Sequence, residues 1–319
     1  MRLGSERRRR NNWAAWQQRS WVMPKSASIG RLEVLITALL FSTGGAVIKA
    51  ISMTGWQVAA FRSAIAAAFL LLMLPSARRG WTWKTLAVGA AYSGALISYV
   101  LANKLTTAAS TIFLYSTAPL YILILGPLVL REPVRRRDLL VMAALAAGMS
   151  LFFLDVDPVT ASAPRPMVGN LLAALGGFFW ALVVVGLRWL GRDQDAARSG
   201  SVAAVVAGNL IAAVVCLPMA FPVAASTSTN WLLISYLGVV QVGLAYVIFT
   251  RALGRLPALE VSLLLLIEPV LNPLWAWLLH GETPGLGARL GGLLILLATA
   301  AASLLGARQS GVSSSTTGQ

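Results

Sequence analysis

The chain has almost none of the side chains that build disulfides and metal centres. Its 319 residues include one cysteine, Cys216, and one histidine, His280. A single cysteine cannot close an internal disulfide, and Cys216 lies in an apolar stretch where buried packing is its usual role. One histidine cannot build a His/Cys metal cluster. We therefore expect no metal and no cofactor, and the two residues offer no nucleophile and base for an enzyme.

Charged residues are also scarce, at 12% of the chain, whereas 57% of the residues are hydrophobic and the mean hydropathy is +0.74. Apolar runs of about 17 to 24 residues recur along nearly the whole length, and a helix needs about 20 to cross a bilayer. The runs have a helical period rather than the alternation of a membrane barrel. The sequence therefore predicts an all-α polytopic membrane protein whose partner is the lipid bilayer.

Acidic residues number 11 against 26 lysines and arginines, which gives a net charge of +15. A basic surplus can attract nucleic acid, but here the basic residues lie in short loops, where they set the orientation of membrane helices. We expect no nucleic-acid partner. With the N-terminus inside, the cytoplasmic side holds 21 of these residues and the other side holds three. This bias predicts a multi-pass protein of the bacterial cytoplasmic membrane with both termini in the cytoplasm.

Ten membrane spans are predicted from the apolar runs. They cover approximately residues 32–51, 56–74, 85–103, 107–130, 138–154, 167–190, 201–221, 230–251, 257–280 and 287–305. A proline-rich extracytoplasmic linker at 155–166 separates a first five-helix half, 32–154, from a second, 167–305. Residues 1–31 are expected to form a basic cytoplasmic flank, disordered or anchored on anionic lipid, with Met23 as an alternative start. Residues 306–319 are expected to form a disordered cytoplasmic tail.

The two halves are related by an internal repeat. A five-helix half that starts inside ends outside, so the second half enters with the opposite orientation and the repeat is inverted. At an offset of 150 residues, Pro119 corresponds to Pro269. Other residues that match at this offset include Ala102 and Ala252, Leu114 and Leu264, Leu128 and Leu278, and Glu132 and Glu282. We predict ten transmembrane helices arranged as two inverted five-helix repeats.

With these features the chain resembles the EamA family of the drug/metabolite transporter superfamily. The resemblance covers roughly Leu32 to Leu305. Its motifs are Phe41-Ser42-Thr43-Gly44-Gly45, Phe61-Arg62, Phe178-Phe179-Trp180-Ala181, Glu268-Pro269 and Gly281-Glu282. The resemblance implies a ten-helix carrier of small molecules, and export as its direction.

Two prolines, Pro119 and Pro269, lie in the middle of equivalent spans. Each removes a backbone donor and frees the carbonyl four residues earlier, on Tyr115 and on Leu265. Freed polar groups at this depth are tolerated where they are buried in protein or line a cavity. Broken helices at equivalent positions of both halves indicate the substrate site of inverted-repeat transporters. A substrate site and a simple packing kink are both open interpretations.

Glu268 is an acid near the middle of an apolar span, where insertion costs roughly 3 kcal/mol. Such an acid usually faces a protein interior or a water-filled cavity. Glu268 and Asn272 share one face of the ninth span, and Thr111 and Tyr115 share one face of the fourth. The two faces predict a central cavity, with ordinary interhelical hydrogen bonding as the alternative. The first half has Ala118 in place of Glu268, so a carboxylate role is confined to the second half.

Two cations also lie well inside spans. Arg62, roughly 9 Å deep at 1.5 Å per residue, is expected to bind an anionic substrate group or to pair with a carboxylate such as Glu268. Lys49, near the outer end of the first span, either contributes to the site or snorkels to the interface. Further candidates to line the site are Gln241, Tyr246 and Trp180.

These features predict a secondary transporter that moves a small polar metabolite, such as an amino acid-like compound, by alternating access. Glu268 would couple transport to protons if it exchanges a proton as the cavity opens to each side. As a fixed partner of Arg62 it would be structural instead. An intramembrane enzyme and a non-transporting scaffold or sensor are the alternative functions. The expected partner is a small-molecule substrate, and the sequence leaves the oligomeric state open.

Overall fold

The computed structural model describes residues 25–130, 136–190, 197–223, 226–252, 255–256 and 258–316. These ranges are almost entirely helical and contain no β-strand. Helices occupy all ten predicted spans, and four of the spans consist of two or three segments. In chain order the spans contain Lys25–Ser42 with Gly44–Ala50; Gly55–Met73; Trp83–Leu105; Ala108–Tyr115 with Ala118–Leu125 and the π-helical Gly126–Leu130; Arg136–Leu154; Pro166–Leu190; Ala197–Ala220; Ser228–Ser235 with the π-helical Tyr236–Leu244 and Ala245–Ala252; Ala258–Leu265 with Ile267–His280; and Leu286–Thr316.

Helix lengths fit a bilayer. Within the described residues, nine helical stretches are long and apolar enough to cross a membrane, and the fifth span contains a shorter apolar helix, Asp138–Leu154. The first helix begins at Lys25 rather than at the predicted Leu32. The tenth helix continues to Thr316, into the stretch that was expected to be a disordered tail.

Threonines fix where several spans begin. Thr54 precedes the second span, and its hydroxyl accepts a hydrogen bond from the backbone N–H of Gln57 at 3.2 Å. The Gln57 side chain accepts in return from the Thr54 N–H at 3.0 Å, which completes a capping box. Thr82 begins the third span in the same way, and Thr107 caps the fourth. Local hydrogen bonding therefore fixes the residue at which each of these helices begins.

Ion pairs show that the first and ninth spans run in the same direction. Near their beginnings Arg31 pairs with Glu260, and at their ends Lys49 pairs with Glu282. The first and ninth spans are parallel only if an odd number of the seven spans between them cross the membrane. Six of these seven contain helical stretches long and apolar enough to cross. The short fifth helix must therefore cross as well, which agrees with the predicted ten spans.

The packing of the spans repeats when each span is exchanged for the one five places later. The third span packs on the sixth, and the eighth correspondingly packs on the first. The fourth span packs on the sixth, and the ninth on the first. The second span packs on the seventh, and the fifth packs on the tenth. Each of these pairs consists of a span and its own counterpart, so the exchange leaves the pair unchanged. The bundle therefore consists of two inverted five-helix repeats, as predicted.

Small residues let helix backbones touch where the repeats meet. A Cβ on Gly148 of the fifth span would lie 3.0 Å from the carbonyl oxygen of Gly291 in the tenth. A Cβ on Gly291 would lie 2.6 Å from the Gly148 oxygen. Only glycine permits this crossing, because a backbone carbonyl cannot move aside as a flexible side chain does. Large apolar side chains such as Leu128 and Leu154 lie on the outside, where lipid surrounds them.

Candidate functional site

A cavity of about 310 Å³ lies between the spans, and residues of eight of the ten spans line it. This volume is at the lower end of the range for small-molecule pockets. The residues that line it are Phe41, Arg62, Tyr92, Leu96, Tyr99, Ile112, Tyr115, Ser116, Ala118, Pro119, Trp180, Gln241, Val242, Tyr246, Phe249, Leu265, Leu266, Glu268, Pro269 and Thr299.

The internal repeat builds most of this cavity. Seven lining positions of the first half have a lining counterpart 150 residues later. The pairs are Tyr92 and Val242, Leu96 and Tyr246, Tyr99 and Phe249, Tyr115 and Leu265, Ser116 and Leu266, Ala118 and Glu268, and Pro119 and Pro269. The cavity therefore lies on the interface between the two repeats, where inverted-repeat transporters hold their substrates. Apart from the two prolines and the aromatic pair Tyr99 and Phe249, the paired positions differ in chemistry.

Both helices that carry the central prolines are broken there. The fourth span is interrupted between Tyr115 and Ala118, and the ninth is interrupted at Leu266. Each break precedes its proline, because the proline cannot donate to the carbonyl four residues earlier. Near the first break the Thr117 hydroxyl donates to the Leu114 carbonyl at 2.6 Å. The freed backbone lies beside the cavity rather than in lipid, as the bilayer requires.

Two further irregularities face the same space. The first span is interrupted at Thr43, whose hydroxyl donates to the Leu40 carbonyl at 2.8 Å. The eighth span is π-helical over Tyr236–Leu244, which includes Gln241. The Gln241 amide donates to the Phe41 carbonyl at 3.3 Å, while its Oε1 is buried without a partner among the described residues. π-Helical turns are frequent at functional sites.

Arg62 brings a positive charge to the cavity wall. Its residue exposure is 2%, and its Nε has no hydrogen-bond partner among the described residues. None of the ion pairs between described residues includes it. The expected alternative in which Arg62 pairs with Glu268 is therefore not formed. A buried guanidinium that lacks a protein partner is available to a ligand.

Glu268 brings a carboxylate to the same cavity. It lies in the first turn of Ile267–His280, where the positive end of the helix dipole favours an anion. Its side chain keeps accessible surface towards the cavity, and no cation of the described chain lies within ion-pair distance. The cavity therefore holds one carboxyl group and one guanidinium group that do not form an ion pair with each other.

Aromatic rings form a continuous band in the wall of the cavity. The ring centroids of Tyr99 and Tyr115 are 5.5 Å apart, and those of Tyr115 and Trp180 are 6.0 Å apart. Tyr92 continues the band to Trp180 at 6.1 Å and to Tyr246 at 6.2 Å. Spacings of this size are typical of favourable aromatic pairs. The band gives the cavity an apolar surface with hydroxyl groups at its edge.

The structure brings eight predicted candidates to the cavity and leaves three outside its lining. Those that line it are Arg62, Tyr115, Pro119, Trp180, Gln241, Tyr246, Glu268 and Pro269. Asn272 is fully buried behind the wall and donates to the Tyr99 hydroxyl at 3.0 Å. Thr111 donates to the Thr107 carbonyl at 3.0 Å. Both therefore support neighbouring residues rather than face the cavity.

Lys49 is the third candidate outside the lining, and it does not snorkel to the interface. Its side chain is 4% exposed and its Nζ lies 2.8 Å from Glu282. The expectation of snorkelling was wrong because a buried carboxylate lies close enough to pair with the ammonium group.

Four aromatic lining residues were not predicted, namely Phe41, Tyr92, Tyr99 and Phe249. The repeat offset of 150 relates the predicted Tyr246 to Leu96, which also lines the cavity. The sequence therefore indicated the third span as part of the wall, but not its two tyrosines. Metal ligands are not clustered in the cavity: across the described ranges, no group of three or more His, Cys, Asp or Glu side chains could hold an ion.

Comparison with known proteins agrees with this architecture. An uncharacterized transporter of Methanothermobacter thermautotrophicus is 22% identical over 212 residues, which are 63% of this chain and 60% of that protein. A protein of known crystal structure, 21% identical, shares the fold with a TM-score of 0.58 over 88% of this chain and 99% of its own. The model of the EamA-like transporter family matches residues 28–154 and again residues 167–304. The chain belongs to the EamA-like transporter family.

Proposed function

We propose that the protein is a secondary transporter that exports a small, amino acid-like metabolite across the cytoplasmic membrane by alternating access. The observation that carries the proposal is the cavity between the two broken helices, which holds unpaired Arg62 and Glu268. Insertion of two charges without partners is costly. A substrate that carries the complementary charges compensates this cost.

The charges of the cavity favour a substrate with both an acidic and a basic group. The Arg62 guanidinium suits a carboxylate, which it can bind with two parallel hydrogen bonds. The Glu268 carboxylate suits an ammonium group, and the unpartnered Oε1 of Gln241 offers a further acceptor. The aromatic band accommodates a small apolar side chain. A zwitterion therefore satisfies groups that the protein alone leaves unsatisfied.

Alternating access is supported by ion pairs at both ends of the first and ninth spans. Ion pairs join these spans at Arg31 and Glu260 on one side of the cavity and at Lys49 and Glu282 on the other. A carrier must open one side while the other stays closed. The breaks in the fourth and ninth spans provide equivalent places at which each half can bend.

The orientation and the energy source are part of the same proposal. The bias of 21 basic residues against three supports an orientation with both termini in the cytoplasm and residues 155–166 outside. The direction of export comes from the family resemblance. Glu268 takes up a proton from one side and releases it on the other, since its carboxyl group has no fixed cationic partner.

The test is exchange of labelled amino acids by the purified protein in liposomes. Candidates are first selected by the rise in melting temperature that each amino acid gives the protein in detergent. We expect at least one zwitterionic amino acid to exchange across the membrane faster than in protein-free liposomes. Absence of exchange for every amino acid that stabilises the protein would contradict the transport proposal.

A further inference from the structure

One end of the bundle is held by a buried polar cluster that lies outside the substrate cavity. The Lys49 ammonium pairs with Glu282 at 2.8 Å and donates to the carbonyls of Thr106 at 2.8 Å and Ser162 at 2.7 Å. The second oxygen of Glu282 accepts from the N–H of Ala108 at 3.0 Å. Both charged side chains are 4% exposed. We call this side of the molecule the Lys49 end.

Glu282 reaches this position because the ninth span ends in a glycine. Gly281 has φ of +65°, a conformation that residues with a Cβ rarely adopt. Its N–H donates to the Trp277 carbonyl at 2.9 Å, and the Glu282 N–H donates to the Ala276 carbonyl at 3.4 Å. This cap turns the chain back over the helix end. The Glu282 carboxylate is thereby directed to the first turn of the fourth span.

A second acid from the linker strengthens the same end. One oxygen of Asp157 accepts from the hydroxyls of Thr107 at 3.0 Å and Ser110 at 2.9 Å. Its other oxygen accepts from the N–H of Gly285 at 2.7 Å. Asp157 therefore ties the start of the fourth span to the segment that leads into the tenth. Several of these bonds must break together before the segments at this end can separate.

The opposite side, which we call the Glu260 end, is closed differently. Arg31 pairs with Glu260, and Arg255 pairs with Glu33. All four side chains are still 17–38% exposed. Beneath them lies a small apolar cluster that includes Leu256. Exposed pairs exchange their partners for water at little cost, and apolar contacts have no fixed direction. A buried pair that is separated leaves uncompensated charge.

We propose that the Lys49–Glu282 pair is the stronger latch of the transport cycle, so that the empty carrier rests with the Lys49 end closed and opens first at the Glu260 end. The proposal rests on the proposed function, because a latch acts only in a carrier that opens alternately. In the proposed orientation, the Glu260 end faces the cytoplasm. An exporter would then meet its substrate there.

The experiment measures the rate at which a cysteine in the cavity is labelled from each end. Cys216→Ala removes the natural thiol, and Ser116→Cys places a new one on the cavity wall. A small charged methanethiosulfonate, which does not cross membranes, is applied to whole cells and to inverted vesicles. Two matched variants are compared in this background, Glu282→Gln at the Lys49 end and Glu260→Gln at the Glu260 end. Glutamine keeps the shape of the acid and removes its charge.

In the background protein, without either glutamine substitution, labelling should be about tenfold slower from the Lys49 end than from the Glu260 end. Glu282→Gln should raise the rate from the Lys49 end about tenfold, whereas Glu260→Gln should change either rate by less than about threefold. Equal native rates from the two ends, or folded Glu282→Gln protein with an unchanged rate, would overturn the latch. The native comparison decides the matter even if Glu282→Gln fails to fold. Labelling that never occurs from the Lys49 end in any variant would instead refute alternating access itself.

Discussion

Replacement of the two buried cations by methionine should have opposite consequences, because one has a protein partner and the other has none. Lys49 lies 2.8 Å from Glu282, so Lys49→Met leaves a buried carboxylate unpaired. Loss of one partner from a buried pair costs about 3–5 kcal/mol. Arg62 is 2% exposed and belongs to none of the ion pairs between described residues. Arg62→Met should therefore change the stability of the empty protein by less than about 1 kcal/mol or raise it.

Substrate binding should depend on Arg62, although the stability of the empty protein does not. A hydrogen bond to a charged group contributes about 1.5–3 kcal/mol, and Arg62→Lys loses the second bond of the fork. We expect Arg62→Lys to weaken substrate binding roughly 10- to 100-fold at normal expression. Arg62→Met should abolish the stabilisation that substrate provides.

The assay is the apparent melting temperature in detergent, with and without a transported amino acid. Lys49→Met should lower the melting temperature of the empty protein, and Arg62→Met should not. If Arg62→Met loses as much folded protein as Lys49→Met, Arg62 has a structural partner and the substrate assignment is refuted. Transport by Arg62→Lys at the wild-type rate would leave only a nonspecific role for the charge.

Three further predictions concern packing, topology and the N-terminal flank. Gly208→Ala should cost about 1–3 kcal/mol, because its Cβ would lie 2.5 Å from the Tyr92 ring. Gly200→Ala on the same helix meets only Thr85 at 3.5 Å and should leave the melting temperature unchanged or raise it, since alanine favours a helix more than glycine does. In Cys216→Ala cells, an impermeant thiol reagent should label Val159→Cys and not Arg136→Cys, and the reverse pattern would contradict the orientation. Removal of residues 1–22 should leave insertion and transport unchanged. Even without the whole flank, 13 Lys and Arg residues lie on the cytoplasmic side and three on the other side. A truncated protein that fails to insert would assign the flank a structural role.

The architecture could be predicted from the sequence because its signals are local or periodic. Length and apolarity define each span, and a constant offset relates Pro119 to Pro269. The same offset relates the predicted Tyr246 to Leu96 of the third span, which also lines the cavity. Helix breaks follow from the chemistry of proline, so their neighbourhood could be predicted as well.

Pairing between distant side chains could not be predicted in this way. Lys49 and Glu282 are far apart in sequence, and their contact depends on the parallel packing of the first and ninth spans. The absence of an ion pair between Arg62 and Glu268, both within the described residues, is likewise set by tertiary packing. Asn272 shares a helical face with Glu268, yet the break at Leu266 and the approach of Tyr99 place it behind the cavity wall. Periodicity assigns a face to a residue but does not show what lies opposite.

The central claim is that the cavity carries substrate and that Glu268 couples its movement to protons. The direct test compares wild type, Glu268→Gln and the control Glu260→Gln in liposomes, with a labelled amino acid that the wild type transports. Glutamine keeps the shape of Glu268 but cannot carry a proton. We predict that Glu268→Gln binds the amino acid more weakly, because the ammonium group loses its charged partner, but still exchanges it across the membrane at saturating concentration. It should no longer accumulate the amino acid when a pH gradient is imposed, while Glu260→Gln should both exchange and accumulate it. Accumulation by Glu268→Gln against a gradient, driven by protons as in the wild type, would contradict the account.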